Sequence, residues 1–161
     1  AGLNQMVHLI TMSEAQLKTF AAHSIAGYAQ DIEQTYGLTP SLALEHATEG
    51  FNELLPDGLN TSDHHLFSLR ASSGEDIGVL WFGIDSAYGI KKLFIYDLEI
   101  HPQARRCGHG KKTLEQVERW ARARGIKRIE LNVFAHNKAG LALYRMCGLD
   151  PHEMTLGKRV D

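Results

Sequence analysis

The chain has 161 residues, of which 43% are hydrophobic and 22% are charged. This composition is ordinary for a globular protein, and the length predicts a single domain over residues 1–161. A formal net charge of −2 argues against binding to nucleic acid through bulk electrostatics. Because no apolar run approaches the roughly 18 residues that a membrane span needs, we also expect no membrane partner.

The ends and the cysteines add two expectations. Residues 1–5 precede Met6 and could be an expression remnant. Cys107 and Cys147 are too few to form a disulfide framework, so we expect two free thiols and a cytoplasmic protein.

The first half of the chain predicts a strand, two helices and three further strands. After a short strand at residues 6–10, Ser13 and Gln16 have the spacing of a capping box, which starts a helix ending near Gly37. Thr39 and the proline after it start a second helix, which a Pro-Asp-Gly turn at residues 56–58 ends. Strands at 65–70, 77–84 and 93–100 then follow as hairpins.

The second half alternates helices and strands. A basic loop at residues 105–111 leads into a helix that is apolar on one face and ends near Gly125. A strand at 129–134, a helix capped by Asn137 and reaching 146, and a last strand at 153–160 complete the chain. The order β-α-α-β-β-β-α-β-α-β predicts an α/β fold.

The loop at residues 105–111 is a predicted phosphate or pyrophosphate site. It carries glycines between a strand and a helix N-terminus, where free backbone N–H groups and the helix dipole favour an anion. It is not a Walker loop, because Lys112 stands where that motif has serine or threonine. It is not a dinucleotide fingerprint either, because Thr113 replaces the third glycine.

What remains is Arg-x-x-Gly-x-Gly, formed by Arg105, Gly108 and Gly110, which resembles the coenzyme A loop of the GNAT acetyltransferase superfamily. Three other segments, at 98–102, 131–137 and 142–149, resemble that family in the same order. One departure is Leu149, where the family usually has phenylalanine. Segments 53–59 and 64–69 further resemble small bacterial acetyltransferases of the YycN type.

The resemblance implies the GNAT acyl-CoA N-acyltransferase fold, a three-layer α/β/α arrangement around a mixed sheet. It also implies direct transfer of an acetyl group from acetyl-CoA to a primary amine on a small molecule or a peptide. Two alternatives stay open: a module that binds or senses acetyl-CoA without turnover, and an interaction domain whose loop holds no ligand. The oligomeric state is expected to be monomer or homodimer.

The resemblance also implies which residues bind the cofactor. The strand backbone would pair with pantetheine, the loop amides would hold the pyrophosphate, and two residues of the C-terminal segments would complete a set of Leu98, Glu99, Ile100, Arg105, Arg106, Cys107, Gly108, His109, Gly110, Lys111, Asn137 and Tyr144. For His109 we expect a contribution from its amide alone. No metal is expected, since the adjacent His64 and His65 would point to opposite sides of a strand.

Three residues are candidates for catalysis. Tyr144 would be the general acid that protonates the departing thiolate, since a phenol and an alkyl thiol have similar pKa values. Asp97 and Glu99 share one strand face, opposite Leu98 and Ile100, and either could accept the proton of the amine. Equally, the two carboxylates could form a charged strand face that pairs with arginines.

The acceptor cleft is predicted between the first two helices and the open end of the sheet. Carboxylates on the second helix mildly favour a cationic amine. The residues expected to line the cleft are Tyr28, Tyr36, His46, Glu49 and Trp81.

Overall fold

A computed structural model describes residues 6–161; the proposed expression remnant, residues 1–5, lies outside them. The regular elements in chain order are β1 (Val7–Thr11), α1 (Glu14–Tyr36), α2 (Pro40–Leu54), β2 (His64–Ala71), β3 (Asp76–Ala87), β4 (Ile90–Ile100), α3 (His109–Ala123), β5 (Ile129–Leu131) and α4 (Lys138–Met146). Two short 3₁₀ turns lie at Gly58–Asn60, beside the predicted Pro-Asp-Gly turn, and at Pro102–Ala104.

The five strands form one mixed sheet. Their order is β1-β2-β3-β4-β5, with antiparallel pairing from β1 to β4 and parallel pairing between β4 and β5. The helices α1 and α2 pack on one face of the sheet, while α3 and α4 pack on the other. The predicted α/β fold with a mixed sheet is confirmed.

Side-chain caps set the starts of three helices, as the sequence predicted. The Ser13 hydroxyl accepts from the Gln16 amide at 3.2 Å, and the Gln16 side chain accepts from the Ser13 amide at 2.8 Å. Thr39 caps α2 and Asn137 caps α4 through their side-chain oxygens. At the other end of α1, Gly37 takes the left-handed conformation with φ of 68°.

Each face of the sheet carries its own apolar core. On the α3 face, the fully buried side chains include Phe82, Leu80, Leu93 and Val117. On the α1 face the buried cluster is Met12, Phe20, Leu55, Leu66 and Trp81. His64 packs against Trp81 while His65 packs against Phe82, so these two histidines do point to opposite faces. Both cysteines are free thiols, as expected.

A β-bulge in β4 changes which side chains face which layer. Trp81 lies opposite Asp97, but the next residue, Phe82, lies opposite Ile95, so Tyr96 is an extra residue with no partner on β3. The alternation of side chains therefore shifts by one residue at Tyr96. Before the bulge Ile95 faces the α3 core; after it Leu98 does.

Two strand predictions were wrong in the C-terminal part of the chain. Residues 153–160 form no strand and are exposed throughout, because their weak alternation, interrupted by Gly157, finds no neighbouring strand to pair with. The fifth strand was predicted at 129–134, but it ends at Leu131, where the chain turns away from β4.

Candidate active site

The loop before α3 presents backbone amides around a turn. Arg106 and Gly108 both have positive φ, of 62° and 77°, and α3 begins at His109. The first N–H groups of a helix have no partner within the helix, so those of residues 109–111 are available to an anion at this end of α3. This is the position at which the sequence predicted a pyrophosphate site.

The side chains of this loop mostly bind the loop itself. Arg105 donates from Nε to the carbonyl oxygen of Ile100 at 3.0 Å, and the Cys107 thiol lies 3.4 Å from the Arg105 carbonyl. The Ile100 carbonyl oxygen therefore already accepts one hydrogen bond, and its second lone pair remains available to another donor. His109 is buried, and within residues 6–161 its Nδ1 has no hydrogen-bond partner.

Gly110 lies directly against α4. A Cβ placed on Gly110 would lie 2.9 Å from Leu143 Cδ2, so the first turn of α3 and the middle of α4 are in close contact. The contact brings the residues of α4, including Tyr144, next to the loop. The second glycine of the motif thus positions α4 as well as leaving the backbone accessible.

Strand β4 and the edge strand β5 separate beside this loop. β5 pairs only with Leu93, Phe94 and Ile95 of β4, so the part of β4 after the bulge has no partner on β5. The segment after β5 turns towards α1 instead. There the ring of Phe134 lies 6.1 Å from that of Tyr28. Separated strands leave main-chain groups of residues 97–99 at the mouth of a gap between β4 and β5.

Asp97 lies on the α1 side of this gap. It is half-buried, and burial together with the neighbouring Glu99 charge raises its pKa to about 6. Hydrogen bonding from Ser24 and the charge of His23 act in the opposite direction. A carboxyl group with this pKa is mostly ionised at neutral pH and still has useful affinity for a proton, as a general base requires.

Glu99 has a histidine partner. His23 of α1 approaches the carboxylate through Nε2, at 2.9 Å from Oε2 and 3.1 Å from Oε1. A second pair joins His136 Nε2 to Asp31 Oδ1 at 2.9 Å. Both pairs connect α1 to β4 or to the segment after β5. One alternative from the sequence was that the carboxylates pair with arginines, whereas the partner of Glu99 is a histidine. The sequence reasoning missed His23 and Asp31.

Tyr144 lies on α4, half-buried against the α3 core. Burial, and then the negative charge of Asp97, raise the pKa of its hydroxyl, so the phenol stays protonated at neutral pH. Asn137 uses its side-chain oxygen to cap α4, accepting from Gly140 N at 2.9 Å.

The residues predicted to line the acceptor cleft are not all placed there. The prediction that Trp81 lines the cleft was wrong, because its side chain is only 3% exposed and packs between Phe20 and Phe51 in the core. Tyr28 is half exposed and lies beside Phe134 near the gap. The other three, Tyr36, His46 and Glu49, are exposed side chains of α1 and α2.

The arrangement of loop, separated strands and facing acid and phenol can be compared with known proteins. The family model for the Acetyltransferase (GNAT) family matches residues 30–149. The chain belongs to the GNAT acetyltransferase family. It is 28% identical to the "Uncharacterized N-acetyltransferase YycN" of Bacillus subtilis strain 168 over 154 residues, which cover 96% of this chain and 99% of that protein. The family resemblance found in the sequence is confirmed.

Solved structures agree with this assignment. The crystal structure of YycN from Bacillus subtilis matches this GNAT chain with a TM-score of 0.90, covering 96% of this chain and 99% of that one. Aminoglycoside N-acetyltransferase AAC(6')-Iy in complex with CoA has a TM-score of 0.59 at 17% identity, over 99% of this chain and 98% of that one, and shares the fold.

Two kinds of site are absent from the part of the chain that the structure describes. From Met6 onward, no helix has both the length and the apolar character to cross a membrane. Over the same residues, no three His, Cys, Asp or Glu side chains are grouped as a metal site would require. That the reaction needs no metal stays a prediction.

Proposed function

We propose that this GNAT chain transfers the acetyl group of acetyl-CoA directly to a primary amine on a small molecule or peptide. The amine nitrogen attacks the thioester carbon, the C–N bond forms and the C–S bond breaks. The ammonium loses one proton to a carboxylate, and the CoA thiolate gains one proton from a phenol. No acyl-enzyme takes part in this sequence.

One observation supports the proposal above all others: β4 and β5 separate beside the amide-rich turn that starts α3. In the proposal, pantetheine lies in the gap along Leu98–Ile100, and the pyrophosphate lies on the amides between Arg106 and Lys111. Arg105 acts by fixing the loop through its bond to the Ile100 carbonyl. Asn137 acts by capping α4, which carries Tyr144 to the gap.

The catalytic roles follow from the two faces of the gap. Asp97, or Glu99 with its partner His23, accepts the amine proton from the α1 side. Tyr144 donates a proton to the thiolate from the α4 side, and its raised pKa keeps that proton in place before reaction. An acid and a base on opposite sides of the thioester suit direct transfer.

The relatives support an amine acceptor. YycN and YdgE of Bacillus subtilis strain 168, each 28% identical to this chain, are both named as N-acetyltransferases. An aminoglycoside acetyltransferase of the same fold, with a TM-score of 0.60, is a complex with sisomicin, which carries amines. We propose acetyl-CoA as the donor because the AAC(6')-Iy structure contains CoA.

The first test is thermal stability with CoA and acetyl-CoA, followed by release of free thiol with a panel of amines and peptides. A ligand present at 100 times its Kd stabilises the native state by about 2.7 kcal/mol. For a chain of this size that corresponds to a rise in Tm of roughly 5 to 10 °C. No shift with either ligand would refute the binding site, and a shift without thiol release would indicate a module that only binds acetyl-CoA.

Two glycines of α3 offer a matched pair of variants. Gly108 at its start and Gly125 after its end have φ of 77° and 70°, and a Cβ on either would meet no atom within 4 Å. Alanine at either site should therefore lower the free energy of unfolding by about 1 to 2 kcal/mol, through backbone strain alone. We expect Gly108→Ala to reduce the CoA-induced shift and Gly125→Ala to leave it intact.

A further inference from the structure

Gly27 lies at the centre of the face that α1 turns towards the gap. It follows His23 by four residues, follows Ser24 by three and precedes Asp31 by four, and residues at these spacings share a helix face. His23 and Asp31 both reach across to partners on the far side, in β4 and in the segment after β5. Gly27 is thus framed by side chains that contact the candidate active site.

The space beside Gly27 is open. Phe20, on the same face two turns earlier, is buried against Trp81. Gly27 is exposed, and a Cβ placed on it would meet no atom within 4 Å. Space is therefore open on this face of α1 at Gly27, between His23 and Asp31, whose side chains reach Glu99 in β4 and His136 after β5.

Packing gives no reason for a glycine at this position. In the middle of a helix glycine is less favourable than alanine, because it loses more conformational freedom on folding. Gly27 has an ordinary helical backbone and no close neighbour that would exclude a methyl group. A side chain here would project from the same helix face as His23 and Asp31, whose side chains contact Glu99 and His136.

We propose that Gly27 is the residue that admits the acceptor to the active site and limits its width. The inference rests on the proposed acetyl transfer and specifies its acceptor: a cationic primary amine whose reacting nitrogen ends an unbranched methylene arm. The arm passes between α1 and β4 beside Gly27, and its ammonium group reaches Asp97 and Glu99. Asp31, at the outer end of the same face, contributes a third carboxylate that attracts a cation.

The test compares wild type with Gly27→Ala, Gly27→Leu and the control Ala26→Leu, whose exposed site points about 100° away on the helix. The probes are methylamine and 1,5-diaminopentane, with hydrolysis of acetyl-CoA by water as background. Three quantities are measured for each variant: Tm, the rise in Tm caused by acetyl-CoA, and kcat/KM for amine-dependent thiol release.

We expect Gly27→Ala to raise Tm by about 2 to 4 °C through helix propensity, which shows that it folds. Its kcat/KM for 1,5-diaminopentane should fall about 10-fold, and that of Gly27→Leu at least 100-fold, with methylamine affected less. The rise in Tm with acetyl-CoA should be unchanged in both variants. Ala26→Leu should match wild type in all kinetic measurements.

Two failures are distinguishable. Thiol release from 1,5-diaminopentane by Gly27→Leu within twofold of wild type would overturn the role of Gly27 and leave the proposed function in place. Equal losses with methylamine and the diamine, or a lost response to acetyl-CoA, would also overturn it, because neither is an effect of acceptor width. Absence of amine-dependent release by the wild type itself would refute the proposed function and this inference with it.

Discussion

Replacing Asp97 with asparagine should stabilise the protein and reduce its proposed activity at the same time. The side chain lies at the mouth of the gap, where burial disfavours its charge and Glu99 adds a second negative charge. Asparagine has nearly the same shape and no charge. The folded state would no longer hold an ionised carboxylate in an unfavourable place.

The size of the effect follows from the pKa. The ordinary value for this side chain is 3.8, and its surroundings raise the pKa of Asp97 to about 6. At about 1.4 kcal/mol per pKa unit, this difference corresponds to about 3 kcal/mol. Because the folded state binds the proton more tightly than the unfolded state, this stabilisation is complete below the unfolded pKa and is lost as pH rises through 6.

The assay is urea denaturation of wild type, Asp97→Asn and the exposed-site control Asp150→Asn at pH 8 and pH 5. The free energy of unfolding of wild type should increase by about 1.4 kcal/mol when the pH is lowered from 8 to 5, from this group alone. Asp97→Asn should be more stable than wild type by about 3 kcal/mol at pH 8 and by about half of that at pH 5. A variant that is less stable at pH 8, or a difference that does not change with pH, would refute the reasoning.

The same variant tests the proton acceptor. If Asp97 takes the proton of the amine, kcat/KM for the amine should fall about 100-fold or more, the range typical of general bases. In wild type, kcat/KM should rise with pH near 6, as Asp97 loses its proton, and this rise should disappear in the variant. A variant that keeps this rise would remove Asp97 from the mechanism and direct attention to Glu99 and His23.

Three other variants test separate parts of the structure. Tyr144→Phe should lower kcat about 100-fold and leave the rise in Tm with acetyl-CoA unchanged; unchanged kcat at saturating acetyl-CoA would remove the general acid. Gly110→Ala gains helix propensity but places its Cβ 2.9 Å from Leu143 Cδ2, so the same change should be more favourable by about 1 kcal/mol in a Leu143→Ala background, which removes that contact, than in wild type. Ser13→Ala should cost about 1 kcal/mol by removing the hydroxyl that accepts from Gln16, measured by urea denaturation, with kinetics as in wild type.

Local chemistry made most of the fold predictable. Ser13, Thr39 and Asn137 are N-caps in the structure because capping needs only a short polar side chain and the next few amides. A strand needs a partner from elsewhere in the chain, and alternation alone does not supply one. Residues 153–160 have some alternation and no partner, which is why the last predicted strand was wrong.

The loop was predictable for a similar reason, since Gly108 and Gly110 lie within a single turn of the chain. The pairing of His23 with Glu99 was not, because 76 residues separate them and no local pattern marks either as the partner of the other. Trp81 was predicted to line the cleft at the open end of the sheet. Its burial between two phenylalanines depends on where α1 and α2 cross the sheet.

The bulge in β4 connects the fold with the proposed chemistry. Strict alternation through β4 would place Asp97 and Glu99 on the same face as Leu93 and Ile95, in the apolar core under α3, where unpaired charges are costly. The extra residue at Tyr96 shifts the alternation, so both carboxylates face α1 while Leu98 returns to the core. The residues of β4 that face the α3 core are Leu93 and Ile95 before the bulge, and Leu98 and Ile100 after it, so their numbers change from odd to even. The bulge therefore lets two carboxylates face α1, on the side of the proposed acceptor, without placing charge in the core under α3.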